Sequence, residues 1–319
     1  VVLVGPATDE ATLRVLESAR ARALTVTVDL RVCTAPADSA TFRRALAEAH
    51  ALILTDRLPA GALDAATRLE LVSVTATGVH AYLDPEAATA RGVAVAYVPS
   101  YADPAIAEHT LALLLALAKN LVPAHQAMRS GQWPTLASSQ LSGRTAGVLG
   151  IGGIGLRVVR ALDALGMEVL VWTRTPDPAR LAGTQARYAS LPELFTAADA
   201  VTLHLALTDE TRGLVDEALL ARARAGLILV NTARAELIAP GALENQLRAR
   251  RIRAGLDVFR DEPRVSKELR TLPGVLLSPH AAFNTAEGFE ALVLGAIENA
   301  VEHLAGRPRN QVARNQLPR

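Results

Sequence analysis

The 319-residue chain predicts an α/β protein made of two doubly wound, parallel-sheet domains of Rossmann-like or flavodoxin-like type with a cleft between them. Three observations carry this reading. Short β-rich runs alternate with alanine-rich segments of helical spacing, a pattern that argues a parallel sheet covered by helices. The alternation occurs twice, and the Pro99 to Pro104 segment interrupts it. A glycine-rich turn, GIGGIG from Gly150 to Gly155, falls between a strand-like run and a helix-like run of the second series. Half of the residues are apolar, enough for two compact cores.

In the first series the strand-like runs are Val1 to Gly5, Leu24 to Val28, Ala51 to Thr55, Leu71 to Ala76 and Val93 to Val98. Segments such as Ala11 to Ala23 and Ser39 to His50 supply the helices, and Ala105 to Leu121 reads as one long helix. The second series begins at Gly147 and continues through Glu168 to Trp172, Ala200 to Leu205, Gly226 to Asn231, Arg253 to Val258 and Val275 to Ser278. The last helical segment, Thr285 to Ala305, lies outside that series and is expected to cross back to the first domain. The expected domains are therefore 1–99 with 286–319, and 100–285. Their cleft would place a ligand at the strand ends that face it.

The run Ala146 to Leu149 leads directly into Gly150, Gly152 and Gly155, which stand in GxGxxG spacing. That order fits a dinucleotide loop. Gly150 permits a tight turn, Gly152 lets the backbone approach a pyrophosphate, and Gly155 allows the helix to pack closely on the sheet. Phosphates would sit over the free N–H groups at the helix start, in the loop that also contains Gly153 and Ile154.

Composition narrows the partners. Acidic and basic residues nearly cancel at a formal charge of +1, and aromatic residues are only 3% of the chain. Neither a phosphate-tracking basic face nor a set of base-stacking platforms is suggested, so no nucleic-acid partner is expected. The longest apolar run, Leu111 to Ala118, is far short of a membrane span. Cys33 is the only cysteine, which rules out an intramolecular disulfide and fits a cytoplasmic setting. The apolar opening, Val1 to Val4, is cut off by Gly5-Pro6 and reads as a strand rather than a signal peptide. The histidines show no metal-ligand spacing, so no metal is expected.

Three polar positions each follow an apolar run: Arg234 in VNTARAEL, Glu262 in DVFRDEP and His280 in LLSPHAAFNT. Such places let a side chain project from a fixed base. Taken singly, each also reads as a surface charge, a turn residue or a structural histidine. Together with ATGVHAYLD, AIAEHTLALLLAL, VLGIGGIG, ADAVTLHLALTDETRGLV and GLDVF, they make the chain from about Leu71 onward resemble the D-isomer-specific 2-hydroxyacid dehydrogenases.

The resemblance implies two Rossmann-like domains, a homodimer joined through the cofactor domain, and hydride transfer between a nicotinamide cofactor and a small 2-keto or 2-hydroxy acid. It implies Arg234, Glu262 and His280 as the catalytic trio. A guanidinium holds the substrate carboxylate and carbonyl, the imidazole supplies a proton to the developing alkoxide, and a carboxylate beside it favours its charged form. Asp257 matches the residue that holds the nicotinamide carboxamide. Ala76, Thr77 and Gly78 match the loop whose backbone binds the substrate carboxylate. His204, Leu205, Thr211, Thr232 and Ala233 fall in blocks that line the cofactor, with a structural role equally open for His204. His109 is read as packing at the start of the long helix. The chain departs from the family pattern in a one-residue-longer Gly78 to Asp84 run, and in Ala235, Ala206 and Phe283.

At the end of the second strand of the cofactor domain stand Thr173, Arg174 and Thr175, with no acidic residue to accept from ribose hydroxyls. Hydroxyls and a guanidinium suit a 2′-phosphate, so NADP(H) is expected to be preferred, with NAD(H) possible. The other reading of Arg174 is stacking on the adenine of either cofactor. Reduction of glyoxylate or hydroxypyruvate is the expected reaction. A nucleotide-sensing regulator or corepressor built on the same fold is the alternative.

Overall fold

The computed structural model describes residues 2–5, 29–76 and 78–312. The chain divides into two compact units, Val1–Ala102 with Thr285–Arg319, and Asp103–Asn284. The boundaries fall a few residues after 99 on one side and just before 286 on the other, because a helix already begins at Asp103 and another at Ala286.

The first unit contains β1 (Val2–Gly5), β2 (Leu30–Val32), α1 (Ala40–Ala47), β3 (Ala51–Leu54), β4 (Leu71–Val74), α2 (Pro85–Ala90) and β5 (Ala94–Ala96). All strand pairs are parallel, in the order β2-β1-β3-β4-β5. β1, β3 and β4 are buried at every position, as a parallel sheet covered on both faces requires. The expected helix at Ala11 to Ala23 and strand at Leu24 to Val28 lie outside the described residues. The strand beside β1 is Leu30–Val32.

The C-terminal helix Ala286–Leu304 belongs to this unit. Leu292, Val293, Ala296, Ile297 and Ala300 recur at helical spacing and pack on Val2, Val4, Ala51, Ile53 and Leu71. On the opposite face, Phe42 and Leu46 of α1 meet Leu3, Leu52 and Val72. Asn299, fully buried on the C-terminal helix, donates to Ser73 Oγ at 3.3 Å and to the Tyr97 carbonyl at 2.9 Å, and its own carbonyl accepts from Asn310 at 2.9 Å.

The second unit contains α3 (Asp103–Ala118), α4 (Leu121–Arg129), β6 (Thr145–Leu149), α5 (Gly153–Ala164), β7 (Glu168–Trp172), β8 (Arg187–Tyr188), α6 (Leu191–Ala197) and β9 (Ala200–Leu203). These are followed by α7 (Glu217–Arg222), β10 (Leu227–Asn231), α8 (Ala242–Arg248), β11 (Ile252–Leu256), α9 (Lys267–Thr271) and β12 (Val275–Leu277). Its seven parallel strands lie in the order β12-β11-β10-β9-β6-β7-β8. The order reverses at β6, which lies between β9 and β7. That reversal is the topological switch point at which doubly wound sheets bind ligands.

Two expectations change. The long helix does not run from Ala105 to Leu121: α3 starts at Asp103 with Pro104 in its first turn and stops at Ala118, and α4 then departs at 64°. Asn120 makes the break by adopting φ +50°, a left-handed conformation that asparagine tolerates better than most residues. The two-residue edge strand β8 was not foreseen, since it carries no apolar run. Among the described residues no single helix is long and apolar enough to cross a membrane. Leu113, Leu114 and Leu117 of α3 are instead buried against Val148, Leu162 and Val230.

The Asn299 cluster gives a direct test of the first unit. Asn299→Leu would leave the part-buried Tyr97 carbonyl and Asn310 amide without this partner, at a cost of about 1 kcal/mol or more. The expected outcome in urea unfolding is a lower midpoint with an unchanged m-value.

Candidate active site

The glycine loop has the shape that its spacing predicts. Gly150 adopts φ +94°, and a Cβ there would lie 2.6 Å from the His204 carbonyl oxygen. A Cβ on Gly155 would lie 2.0 Å from the Gly150 carbonyl, and one on Gly153 would run into the Asp103 carboxylate. Backbone atoms therefore exclude side chains at Gly150 and Gly155, whereas at Gly153 the Asp103 side chain would have to move. A Cβ on Gly152 would meet nothing within 4 Å, so the backbone there borders open space. No side chain caps the N-terminus of α5, whose first N–H groups lack intrahelical partners and suit an anion. The residues present fit a dinucleotide pyrophosphate.

Around this loop the other expected cofactor residues occupy strand ends. Thr173, Arg174 and Thr175 follow β7, with Thr173 half-buried and the other two exposed. The Arg174 guanidinium donates to Glu210 Oε2 at 2.5 Å, and both side chains are well exposed. His204 and Leu205 follow β9. The His204 amide donates to the Leu149 carbonyl at 2.7 Å, which ties this strand end to β6. Its Nε2 is buried without a hydrogen-bond partner among the described residues, and burial lowers the imidazole pKa to about 3. Thr211 closes its own loop, donating to the Ala206 carbonyl at 2.7 Å and accepting from the Thr208 amide at 2.8 Å. The buried Thr232 hydroxyl lies 2.8 Å from that of Thr110 on α3, and Ala233 donates its amide to Asn231 Oδ1 at 3.0 Å.

The catalytic candidates stand at the ends of β10, β11 and β12. Asn231, the last residue of β10, accepts from the Ala233 amide and donates to the Arg234 carbonyl at 2.9 Å, so its side chain shapes the turn that presents Arg234. The Arg234 guanidinium is exposed, and among the described residues it meets only the Ala233 carbonyl, through Nη1 at 2.6 Å. Glu262 and His280 are brought into contact: the imidazole Nδ1 lies 2.7 Å from Glu262 Oε2. The other oxygen, Oε1, accepts from the Phe259 amide at 2.8 Å, which fixes the carboxylate on its own loop. His280 itself adopts φ +51°, and the Phe283 ring stands edge-on to it at 5.9 Å between centroids.

Asp257 follows β11 and is fully buried. Its Oδ1 accepts from Ser278 Oγ at 2.6 Å and from the Ala281 amide at 2.9 Å, and its Oδ2 accepts from the Ala282 amide at 3.0 Å. His109, read from sequence as a packing residue, places Nε2 2.9 Å from Ser278 Oγ and 3.6 Å from Asp257 Oδ1. Sequence reasoning passed over Asn231 and Ser278 and gave His109 only a packing role, because the contact of Ser278 with His109 and Asp257 joins positions distant in the chain. In the first unit, Ala76 is half-buried and its carbonyl accepts from the Val98 amide at 3.1 Å. Gly78 is exposed, with open space where a Cβ would lie, and Thr77 lies outside the described residues.

Residues 111–282, nearly the whole of the second unit, match the family described as D-isomer specific 2-hydroxyacid dehydrogenase, NAD binding domain. The chain belongs to that family. A glyoxylate reductase of Aeropyrum pernix is 38% identical over 281 residues, covering 84% of each chain. A D-3-phosphoglycerate dehydrogenase of Mycobacterium leprae is 35% identical over 284 residues, covering 88% of this chain and 53% of that protein. The chain thus spans about half the length of the phosphoglycerate dehydrogenases it matches. Among solved structures, a Thermus thermophilus protein aligns with a TM-score of 0.81 at 34% identity, covering 98% of this chain and 99% of the other. A D-lactate dehydrogenase of Treponema pallidum shares the fold, with a TM-score of 0.87 at 23% identity and the same coverage. In this dehydrogenase family member the glycine loop and the Arg234, Glu262 and His280 positions all lie in the NAD-binding unit.

The half-buried His204, with its Nε2 sealed from solvent, changes stability with pH. Its folded-state pKa of about 3 lies below the ordinary value of 6.5, so between those values the unfolded chain binds a proton that the folded one refuses. Stability is complete above pH 6.5 and is lost as pH falls through that window, by up to about 1.4 kcal/mol per pH unit. His204→Leu should flatten the acid-side slope of the unfolding free energy measured in urea from pH 6.5 to 4.5. An unchanged slope would show that His204 titrates alike in both states.

Proposed function

We propose that this chain is a cytoplasmic, NADP(H)-preferring reductase of small 2-keto acids that works as a homodimer. The observation that carries the reaction is the Glu262–His280 pair, one carboxylate oxygen anchored on the Phe259 amide and the other on the imidazole. A reduced nicotinamide, when bound, supplies a hydride to the substrate carbonyl carbon. With Nδ1 donating to Glu262, the proton for the resulting alkoxide comes from His280 Nε2. In the oxidative direction the same nitrogen takes the proton from the hydroxy acid.

Arg234 offers five N–H donors in a planar fork, and only one of them meets a described acceptor. The remainder suit a carboxylate and the neighbouring carbonyl oxygen, and the positive charge opposes the charge that builds on that oxygen. The backbone N–H groups of the Ala76–Gly78 loop are assigned to the substrate carboxylate by resemblance to the family. Asp257 is assigned to the carboxamide side of the nicotinamide on the same basis. Glyoxylate and hydroxypyruvate are the first substrates to try. The glyoxylate reductases among the relatives, including one from Thermococcus litoralis at 31% identity, support that choice.

The cofactor preference rests on Thr173, Arg174 and Thr175. The Arg174–Glu210 ion pair is solvent-exposed, and such pairs contribute about 0–1 kcal/mol. A 2′-phosphate offers the guanidinium a more highly charged partner and bidentate hydrogen bonds, so it displaces Glu210. A reducing compartment agrees with a single, buried cysteine, Cys33. The dimer reading rests on Leu115, Leu121, Met128, Trp133 and Leu136, which are exposed within one short stretch of chain, Trp133 at 86%. Large apolar side chains concentrated in this way mark an interaction surface, and a second copy is its occupant.

The decisive assay follows NADPH and NADH consumption separately with glyoxylate, hydroxypyruvate, pyruvate and phenylpyruvate. His280→Ala should lower kcat by about 100-fold or more. Thr173→Asp with Arg174→Ala should reverse the cofactor preference, while Glu210→Gln should lower the KM for NADPH and leave that for NADH unchanged. Indifference of the NADPH/NADH ratio to both changes would overturn the cofactor assignment. Light scattering should show a dimer that Trp133→Asp with Leu121→Asp converts to a monomer. A monomeric parent protein would remove the dimer.

A further inference from the structure

His280 hangs from one edge of its sheet. β12 is a three-residue edge strand, half-buried throughout, and His280 follows it in a left-handed backbone conformation that is strained for a non-glycine residue. What holds this turn is Asp257. Its carboxylate takes the amides of Ala281 and Ala282, the two residues that follow His280, and the hydroxyl of Ser278, two residues before it. The Ser278 amide bonds the Leu256 carbonyl at 2.9 Å, and the His280 amide bonds the Ser278 carbonyl at 3.1 Å.

A fully buried carboxylate is tolerated only where donors surround it. The direction of each bond in this chain can be deduced. Ser278 has one proton, and a 2.6 Å contact between its Oγ and a carboxylate oxygen requires that proton, since two bare acceptors at that distance would repel. The 2.9 Å contact with His109 must then be donated by the imidazole, which fixes the proton on Nε2. The order is His109 Nε2–H to Ser278 Oγ and Ser278 O–H to Asp257 Oδ1, while the Ala281 and Ala282 amides donate to Asp257 Oδ1 and Oδ2. His109 sits on α3, so the chain ties the His280 turn at the sheet edge to a helix buried against the middle of the sheet.

We infer that His109 and Ser278 are positioning residues for the reaction, acting through Asp257 to hold the His280 turn where its imidazole can meet both Glu262 and substrate. Neither touches the reacting atoms. The inference rests on the dehydrogenase reading for its kinetic consequence but not for its structural one.

The test uses the full chain with Ser278→Ala, His109→Leu and their double variant, beside the conservative Ser278→Thr and His109→Gln. With the best keto acid from the panel, Ser278→Ala and His109→Leu should each lower kcat by about 10- to 100-fold, since a misplacement of about 1 Å at the reacting centre costs that much. The KM for the keto acid should move less than about threefold, because Arg234 is untouched. Ser278→Thr and His109→Gln keep the donors and should restore most of the rate. The double variant should be no slower than the worse single one, as members of one chain are not additive.

Histidine ¹⁵N spectra of the cofactor-free protein supply the second readout. Ser278→Ala should shift the His280 nitrogens and should release His109 from the Nε2–H tautomer. Unchanged kcat and unchanged His280 signals, or multiplicative losses in the double variant, would overturn the inference. Absence of turnover in the parent protein together with the expected spectral shifts would instead count against the assigned substrates and leave the positioning chain standing.

Discussion

A parallel sheet buried on both faces can carry polar chemistry only at its strand ends, and the second unit is organised by that constraint. Its strands are almost wholly apolar, with burial nearly complete in β6, β9 and β10. Six of the functional candidates therefore appear just after a strand: Gly150 after β6, Thr173 after β7, His204 after β9, Arg234 after β10, Asp257 after β11 and His280 after β12. All strands run the same way, so these residues gather at one edge of the sheet although more than a hundred positions separate the first from the last. The reversal of strand order at β6 leaves the gap beside which the glycine loop sits.

The same constraint makes the strand ends unequal. β10 and β11 lie inside the sheet with neighbours on both sides, and their terminal residues Asn231 and Asp257 are nearly or fully buried. β12 has one neighbour and ends in a strained turn. The buried polar side chains at the ends of the two inner strands do the holding: Asn231 shapes the turn of Arg234, and Asp257 binds the turn of His280. A precisely held imidazole thus depends on a carboxylate that never touches the substrate oxygen in the proposed reaction, and that carboxylate depends in turn on donors from another strand and from α3.

This division explains what the sequence could reveal. The parallel architecture, most strands of the second series, the return helix and the glycine loop depend on local periodicity and on residues that only glycine can replace, and both are visible in the chain. Arg234, Glu262 and His280 were legible only as a set, since each alone has an ordinary surface reading. Ser278 and His109 were not legible, because a serine after a strand and a histidine in an apolar helix gain meaning only when folding brings positions 109, 257 and 278 together. The break between α3 and α4 was missed for a different reason. Leu121 continues the apolar pattern, and the periodicity gives no weight to the ability of Asn120 to turn left-handed.

Two histidines at strand ends of one sheet show how environment decides chemistry. His204 has a buried Nε2 with no partner among the described residues, and burial lowers its pKa to about 3, so at neutral pH it is an uncharged filler behind the glycine loop. Without the imidazolium form it is no general acid at that pH. His280 is 38% exposed at its side chain, and the Glu262 carboxylate on Nδ1 keeps the ring oriented. The contrast also shows how His280 is held: an exposed imidazole at a sheet edge has little packing to fix it, so the fold fixes its turn with backbone bonds to Asp257.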